Sequence, residues 1–187
     1  MKNVNLFIEK YYHHKIQLSK SLIYEVLKRT LNKNKKILIF GLGYDSYLWY
    51  KSNNKKNIIF VEHNDSFINL NSKIKNNFIL KYEYKNTSVE KSLKNIFNED
   101  EHLIPAKLLR KAPFDIVLID SPEGYKDDSF GREIPFYWTR NFLIHEKTKI
   151  FIHDIQRKLE KLLLEKYFKD FQKKYFHSDK NSVLVTY

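Results

Sequence analysis

Residues 36–62, KILIFGLGYDSYLWYKSNNKKNIIFVE, decide the fold of this chain. An apolar run at 37–40 meets a turn that contains Gly41 and Gly43, a helix-like segment follows, and a second apolar run at 58–61 ends at an acid. This is the order of a strand, a glycine turn, a crossover helix and a second strand. Because two parallel strands need such a crossover, the stretch predicts the first βαβ unit of a parallel sheet.

The glycine turn is suited to a nucleoside ligand. Gly41 and Gly43 have no Cβ atoms, so the backbone can approach a ligand closely, and Glu62 is placed to accept hydrogen bonds from both ribose hydroxyls. Asp45 repels pyrophosphate at the start of the following helix, which it is expected to cap. The pattern favours a nucleoside with a cationic or amine-bearing head, of which S-adenosylmethionine is the common one. The alternative is that the two glycines only make a tight turn.

Length and charge bound the type of protein. The chain has 187 residues, which suits one α/β domain over 1–187, with an N-terminal helical segment at 1–34 and a core at 35–187. It has 34 Lys and Arg against 22 Asp and Glu, a formal charge of +12. This surplus favours an anionic partner such as an acidic glycan, a nucleic acid or a membrane surface. The lysines lie in scattered Lys-Asn patches, which are typical of solvated faces.

Cysteine is absent, which excludes disulfides and thiolate metal sites. No apolar run approaches the roughly 20 residues that a bilayer-spanning helix needs, and the N-terminus lacks the apolar region of a signal peptide. We therefore expect a soluble, cytoplasmic protein without a membrane anchor. Nothing in the pattern predicts its oligomeric state.

The rest of the chain alternates helices with strands. Apolar spacing predicts two helices within 2–31, separated near His13 and His14, and a closing β-hairpin whose turn lies at 178–181. The sequence predicts a doubly wound α/β sheet with an antiparallel edge. Its remaining predicted strands are 78–84, 114–120, 149–152, 171–176 and 182–187, and its remaining predicted helices are 65–74, 86–97, 134–144 and 155–168.

Polar side chains follow several of these strands. Asp120 ends the fourth strand, and His153 and Asp154 end the fifth. In open α/β sheets the ligand binds at the carboxyl ends of the strands, so these groups should share one site with the glycine turn and Glu62. Asp120, His153 and Asp154 could hold one divalent cation, or could act as a base and its orienting acid without a metal. Taken singly, each could instead be a strand-end acid or a satisfied histidine.

Four segments carry a family resemblance. FGLGYDSYLW, IIFVEHN, FDIVLIDSPEGYKDDSFGREIPFYWTRNF and KIFIHDIQRKLEKLLLEKYF resemble, in order and spacing, the plant glucuronoxylan 4-O-methyltransferase family of polysaccharide-modifying enzymes. The match covers residues 36–168. The Asp-x-Pro-x-Gly-Tyr loop, with the Gly-Arg that follows it and the later His-Asp, is much more specific than the glycine turn.

The resemblance implies a Rossmann-like class I methyltransferase fold, S-adenosylmethionine as donor, O-methylation of a glucuronic acid unit in a glycan, and dependence on a divalent cation. The residues on its donor segments are Gly41, Gly43, Asp45 and Glu62, and those around the acceptor are Asp120, Tyr125, Arg132, His153 and Asp154.

Two of the acceptor residues have a rationale of their own. Arg132 can pair a uronate carboxylate through two parallel hydrogen bonds, or can stabilise its loop through Glu123 or Asp127. Tyr125 can stack on a sugar ring or plug the loop.

The sequence thus predicts an S-adenosylmethionine-dependent sugar O-methyltransferase with an acidic glycan or sugar as substrate. An RNA or nucleoside methyltransferase is the first alternative, and the positive charge would suit it. Most aromatic residues fall at core spacing, however, which disfavours a nucleic-acid partner. A non-catalytic glycan-binding module is the second.

Overall fold

A computed structural model describes residues 2–53, 57–176 and 181–187 of the chain. Within these residues the strands form a seven-stranded sheet in the order β3-β2-β1-β4-β5-β7-β6. The strands are β1 (Ile37–Phe40), β2 (Ile58–Glu62), β3 (Ile79–Lys81), β4 (Ile116–Ile119), β5 (Lys149–His153), β6 (Gln172–Tyr175) and β7 (Ser182–Thr186).

The first five strands are parallel, and the predicted hairpin of β6 and β7 adds the antiparallel edge through β5. The doubly wound sheet predicted from the sequence is therefore confirmed. The predicted turn at 178–181 lies largely outside the described residues. The chain runs outward from β1 to β3 and then returns to place β4 on the other side of β1. This reversal opens a crevice beyond the ends of β1 and β4, where such sheets bind ligands.

The helices cover both faces of the sheet. Successive residues of a strand point to opposite faces, so Leu38 and Phe40 join one buried cluster while Ile37 and Ile39 join another. The first three helices contribute to the cluster of Ile37, and the last two to that of Leu38. The eight α-helices of the described residues are α1 (Lys2–Tyr11), α2 (Lys20–Thr30), α3 (Ser46–Ser52), α4 (Asp65–Leu70), α5 (Val89–Leu93), α6 (Ala106–Leu109), α7 (Glu133–Trp138) and α8 (Lys158–Phe168).

The two predicted N-terminal helices are confirmed as α1 and α2. Ser19 caps α2, because its side chain accepts a hydrogen bond from the backbone N–H of Leu22 at 3.2 Å. The residues between the helices, including His13 and His14, form a connection that returns to the sheet. The helix predicted over 134–144 is present as α7, followed by a π-helical turn at Thr139–Leu143.

Three predicted elements are shorter than expected. The helix predicted over 65–74 ends at Leu70, and Ile74 reaches the core from the turn that follows. The third strand covers only Ile79–Lys81. The helix predicted over 86–97 ends at Leu93, because Asn95 has a left-handed backbone conformation, with φ of 58°. Apolar spacing marked these segments, but it does not mark where the backbone leaves the regular conformation.

Helix α8 begins later than predicted. The sequence placed its start near Ile155, but Asp154 has φ of 62° and the helix starts at Lys158. The intervening turn orients Asp154 toward the carboxyl ends of the strands. None of the helices among the described residues is both apolar enough and long enough to cross a bilayer.

Candidate active site

A cleft of about 420 Å³ lies beyond the carboxyl ends of β1, β2, β4 and β5. All nine site residues predicted from the sequence line it, which confirms that four strand ends share one crevice. The structure locates these side chains, whereas their individual roles remain predictions. The nine are Gly41, Gly43, Asp45, Glu62, Asp120, Tyr125, Arg132, His153 and Asp154.

Close packing at the start of the cleft requires glycine at residue 41. Gly41 has φ of 119°, and a Cβ added there would lie 2.9 Å from Cβ of Ser121, which follows β4. A side chain at residue 41 would therefore separate the ends of β1 and β4. The backbone N–H of Gly41 donates to the carbonyl of Val61 at 2.8 Å, so this turn is also tied to β2.

Asp45 does not cap α3, contrary to the sequence-based expectation. Its carboxylate accepts a hydrogen bond from the indole N–H of Trp49 at 2.5 Å, and the hydroxyl of Ser46 instead accepts from the backbone N–H of Gly43 at 2.8 Å. Burial, together with the negative charge of Asp120, raises the pKa of Asp45 to about 6. A cation bound in the cleft would stabilise the ionised carboxylate.

Glu62 is almost completely buried at the end of β2 and is held by backbone donors. One carboxylate oxygen accepts from the N–H of Leu42 at 2.7 Å, and the other accepts from His63 at 2.7 Å and Asn64 at 2.8 Å. Burial alone would raise its pKa, but the hydrogen bonds from His63, Asn64 and Leu42 outweigh it and hold the pKa of Glu62 below its ordinary value. The oxygen that accepts from Leu42 can accept one more hydrogen bond, so Glu62 keeps acceptor capacity at the cleft.

His63 connects Glu62 to the loop that follows β4. Its Nδ1 lies 3.0 Å from a carboxylate oxygen of Glu62, and its Nε2 lies 3.1 Å from one of Glu123. The ring packs edge-on against Tyr84 and Phe130. Burial lowers the pKa of His63, but the hydrogen bonds and charges of the two glutamates outweigh burial and raise it. This bridge joins the two sides of the cleft.

Asp120, His153 and Asp154 form a compact group at the ends of β4 and β5. Nδ1 of His153 lies 2.9 Å from Asp120 and 3.5 Å from Asp154. Burial lowers the pKa of His153, but the hydrogen bond and charge of Asp120 prevail and raise it. Burial likewise works against the charged form of Asp154, yet the nearby Arg132 and His153 hold its pKa low.

The same group offers the ligand set of a divalent cation. One imidazole nitrogen and two carboxylate oxygens lie within 4.8 Å of one another. Mixed oxygen and imidazole ligands suit first-row divalent metals. The side chains present therefore fit the cation that the sequence led us to consider, and they fit equally well a histidine base oriented by a carboxylate.

Arg132 is buried, with 2% of its surface exposed, and its guanidinium binds the protein itself. It donates to the carbonyls of Pro122 at 3.1 Å, His153 at 2.6 Å and Asp120 at 2.8 Å, and to the carboxylate of Asp154 at 2.8 Å. Four of its five N–H groups are thus used. The expected pairing with a substrate carboxylate is not supported. The alternative pairing with Glu123 or Asp127 is replaced by Asp154. Arg132 fastens the loop to β4 and β5.

Tyr125 and Arg157 also line the cleft, Tyr125 as an exposed ring and Arg157 as a partly exposed side chain. Tyr125 is 67% exposed, with Nζ of Lys126 5.6 Å from its ring centre. One terminal nitrogen of Arg157 forms an ion pair with Asp154 at 2.9 Å, while the other is buried without a hydrogen-bond partner, 4.0 Å from a carboxylate oxygen of Glu160. Arg157 was not predicted as a site residue, because it lies in the turn that delays α8 and not at a strand end.

Other lining residues were also missed. His63 and Asn64 directly follow Glu62, so their position after β2 was an available signal. Residues 15–18 had no such signal, because they connect two helices and reach the cleft only through tertiary packing. The missed lining residues are Lys15, Ile16, Gln17, Leu18, Ile39, Leu42, Tyr44, His63, Asn64, Phe67, Ser121, Glu123 and Arg157.

Comparison with known proteins is consistent with this geometry. No protein-family profile matches the chain. It is 28% identical over 158 residues to glucuronoxylan 4-O-methyltransferase 2 of Arabidopsis thaliana, a match that covers 72% of this chain and 54% of the plant protein. The chain thus spans about half the length of the curated relative that it matches.

Solved structures resemble the fold. An O-methyltransferase of Bacillus cereus in complex with S-adenosylhomocysteine has a TM-score of 0.52 at 12% identity, covering 100% of this chain and 90% of its own. A caffeoyl-CoA O-methyltransferase homologue from Staphylococcus aureus has a TM-score of 0.54 at 13% identity, covering 100% and 91%. A TDP-rhamnose 3′-O-methyltransferase of calicheamicin biosynthesis has a TM-score of 0.54 at 9% identity, covering 100% and 86%. The chain therefore has the Rossmann-like fold of class I O-methyltransferases.

Proposed function

We propose that this protein transfers a methyl group from S-adenosylmethionine to a hydroxyl of a sugar, a glucuronic acid unit of a glycan. The observation that carries the proposal is the meeting, in one cleft, of a buried acid after β2 with an Asp-His-Asp group after β4 and β5. The plant relative, whose name specifies glucuronoxylan, supports the choice of acceptor. Both buried clusters lie on one sheet, which supports a single domain over 1–187.

The donor lies along the glycine turn in this proposal. Its ribose hydroxyls donate to Glu62, whose low pKa keeps the carboxylate ionised. Its ammonium lies near Asp45, which lines the same end of the cleft and whose raised pKa falls when a cation binds beside it. The backbone of Gly41 and Gly43 lines the cleft and can contact the donor there.

The acceptor hydroxyl approaches the methyl carbon from the side of Asp120. Its oxygen forms a bond to that carbon as the carbon–sulfur bond breaks, and the sulfur keeps the electron pair and becomes a neutral thioether. The hydroxyl proton passes to the hydrogen-bonded pair of Asp120 and His153. Asp154 and Arg132 hold this pair in place. Much of the rate comes from aligning the two reactants.

A divalent cation would be held by Asp120, His153 and Asp154, which present the required ligand atoms. When bound, it would lower the pKa of a coordinated hydroxyl. The uronate carboxylate has a candidate partner in Arg157, which lines the cleft and is partly exposed, since Arg132 is buried and bound to the protein itself. The exposed ring of Tyr125 can pack against a sugar face.

Incubation with labelled donor tests the proposal. The acceptors are a uronic-acid glycan, a nucleotide sugar and RNA, each with divalent cations and with chelator. We expect label in the uronic-acid glycan and not in its carboxyl-reduced form. Label only in RNA would contradict the proposal and support the alternative that the +12 charge favours. Absence of donor binding by calorimetry would instead indicate a non-catalytic module.

A further inference from the structure

Several lysines lie over tyrosine rings on the surface formed by α1, α3 and the turn after α4. Nζ of Lys10 is 5.5 Å from the ring centre of Tyr11, and those of Lys51 and Lys73 are 5.2 Å and 5.9 Å from that of Tyr47. The rings of Tyr11 and Tyr47 pack edge to face with centres 6.3 Å apart. These five residues form one surface, which we call the Lys-Tyr patch.

The patch continues to the mouth of the cleft. Tyr44 lies three residues before Tyr47, and its ring has Nζ of Lys15 at 5.3 Å and the ring of His13 stacked at 6.1 Å. Lys15 and Tyr44 both line the cleft. A ligand longer than the cleft can therefore extend from it across Tyr44 onto the patch.

The positive charge of the patch is not neutralised by the protein. Among the residues that the structure describes, none of the ion pairs includes Lys10, Lys51 or Lys73. Residues 10–20 contain three lysines and no acid. Unneutralised lysines on one surface attract an anionic ligand.

The aromatic rings favour an acidic polysaccharide over RNA. Tyr11 and Tyr47 are half-buried, and each has a lysine over its ring and another ring at its edge. Nucleic-acid bases stack on open ring faces, which this arrangement does not offer. The ammonium groups of the patch can instead pair with the spaced carboxylates of an acidic polysaccharide.

We infer that the Lys-Tyr patch binds an acidic polysaccharide whose reacting uronic acid unit lies in the cleft. This inference rests on the proposed function and extends it, because it assigns a polymer as the acceptor and a surface outside the cleft that holds it. It predicts that a long acceptor binds more tightly than a short one, through contacts that the short one cannot reach.

Affinity electrophoresis of three forms of the full chain tests the inference. The patch variant is Lys10→Gln/Lys51→Gln/Lys73→Gln. The control is Lys147→Gln/Lys161→Gln/Lys174→Gln, which removes the same charge from exposed lysines without a tyrosine contact. The gels contain glucuronoxylan, unsubstituted xylan or RNA. At low salt we expect the patch variant to bind glucuronoxylan about tenfold more weakly and the control to change by about twofold or less.

Equal loss in the two variants would overturn the inference, because it would show an effect of net charge alone. The inference would also be overturned if unsubstituted xylan retarded the wild type as much as glucuronoxylan does. It would likewise be overturned if RNA retarded the wild type more than glucuronoxylan does and the patch variant lost this effect. Calorimetry with S-adenosylhomocysteine and turnover on a short uronic-acid oligosaccharide are measured in parallel. If the wild type shows neither donor binding nor turnover, the proposed function is refuted. If it shows both, but the patch variant binds glucuronoxylan as tightly as the wild type does, only the role of the Lys-Tyr patch is refuted.

Discussion

At the scale of single residues, the carboxylates of the site differ in the direction in which their surroundings shift the pKa. The side chain of His63, together with the backbone N–H groups of Asn64 and Leu42, outweighs burial and lowers the pKa of Glu62. Arg132 and His153 do the same for the pKa of Asp154. At Asp45, burial and the negative charge of Asp120 outweigh the hydrogen bond from Trp49 and raise the pKa to about 6. The difference assigns Asp45, whose ionised form a bound cation would stabilise, to the part of the cleft that holds the cationic donor in our proposal.

Replacement of Asp120 by asparagine tests the proton acceptor. Asp120→Asn preserves the size of the side chain but removes the base, so we expect kcat to fall by about 10²- to 10⁴-fold. The affinity for S-adenosylhomocysteine should change by less than about threefold, because the donor contacts lie at β1 and β2. Asp127→Asn on the same loop is the control for initial-rate and calorimetric measurements. An unchanged kcat would remove Asp120 from the mechanism.

Arg157 provides a test of acceptor recognition. If its guanidinium, which lines the cleft and is partly exposed, binds the uronate, Arg157→Gln should raise KM for a uronic-acid acceptor by about ten- to hundredfold, since a hydrogen bond between charged groups is lost. KM for the carboxyl-reduced acceptor should not change. Steady-state kinetics on the two acceptors give the answer, and an equal rise for both would show a structural role.

At the scale of elements, Arg132 and His63 join the strand ends into a single site. Arg132 bonds the loop and the ends of β4 and β5, and His63 joins the end of β2 to the same loop. These two side chains tie the ends of three strands to one loop, and the backbone N–H of Gly41 ties the end of β1 to β2.

Arg132→Lys should destabilise the protein. One ammonium group cannot donate to the carbonyls of Pro122, Asp120 and His153 in the geometry that the planar guanidinium allows. We expect a loss of about 3 kcal/mol in the free energy of unfolding, measured by urea denaturation. Arg110→Lys, on the surface, should change it by less than about 0.5 kcal/mol. Equal stability of the two variants would contradict the fastening role.

The His63 bridge predicts a pH-dependent stability. The pKa of His63 is raised above 6.5 in the folded protein, so its contribution is complete below that value and is lost as pH rises through the folded pKa. His63→Gln should therefore cost on the order of 1 kcal/mol at pH 6 and much less at pH 9. His14→Gln, at an exposed position, is the control. A cost that is independent of pH would exclude a charged bridge.

The sequence predicts some parts of this site better than others. Glu62, Asp120 and His153 were found because strand ends meet at one edge of a parallel sheet, which is a rule of topology. The hydrogen bonds of Arg132 to the protein itself were not predicted, because a side chain's chemistry does not reveal whether the fold already uses it. Residues 15–18 and Arg157 reach the cleft through tertiary packing, which leaves no periodic pattern in the sequence.

At the scale of the whole molecule, part of the positive charge lies on one surface beside the cleft. The lysines around Tyr11 and Tyr47 lie beside the cleft and lack ion-pair partners among the described residues, whereas Lys166 and Lys94 pair with Glu133 and Glu90 elsewhere. In our proposal, one sheet thus carries a donor end, an acceptor loop and a basic surface around a single crevice.

Calorimetric titration of S-adenosylhomocysteine tests the central claim, that this crevice is a donor site built on Glu62. We expect binding to the wild type and to Glu83→Gln, an exposed control. Glu62→Gln should bind about ten- to hundredfold more weakly while its thermal unfolding shows a folded protein. Absence of binding to the wild type, or equal affinity of the Glu62→Gln variant, would contradict the account.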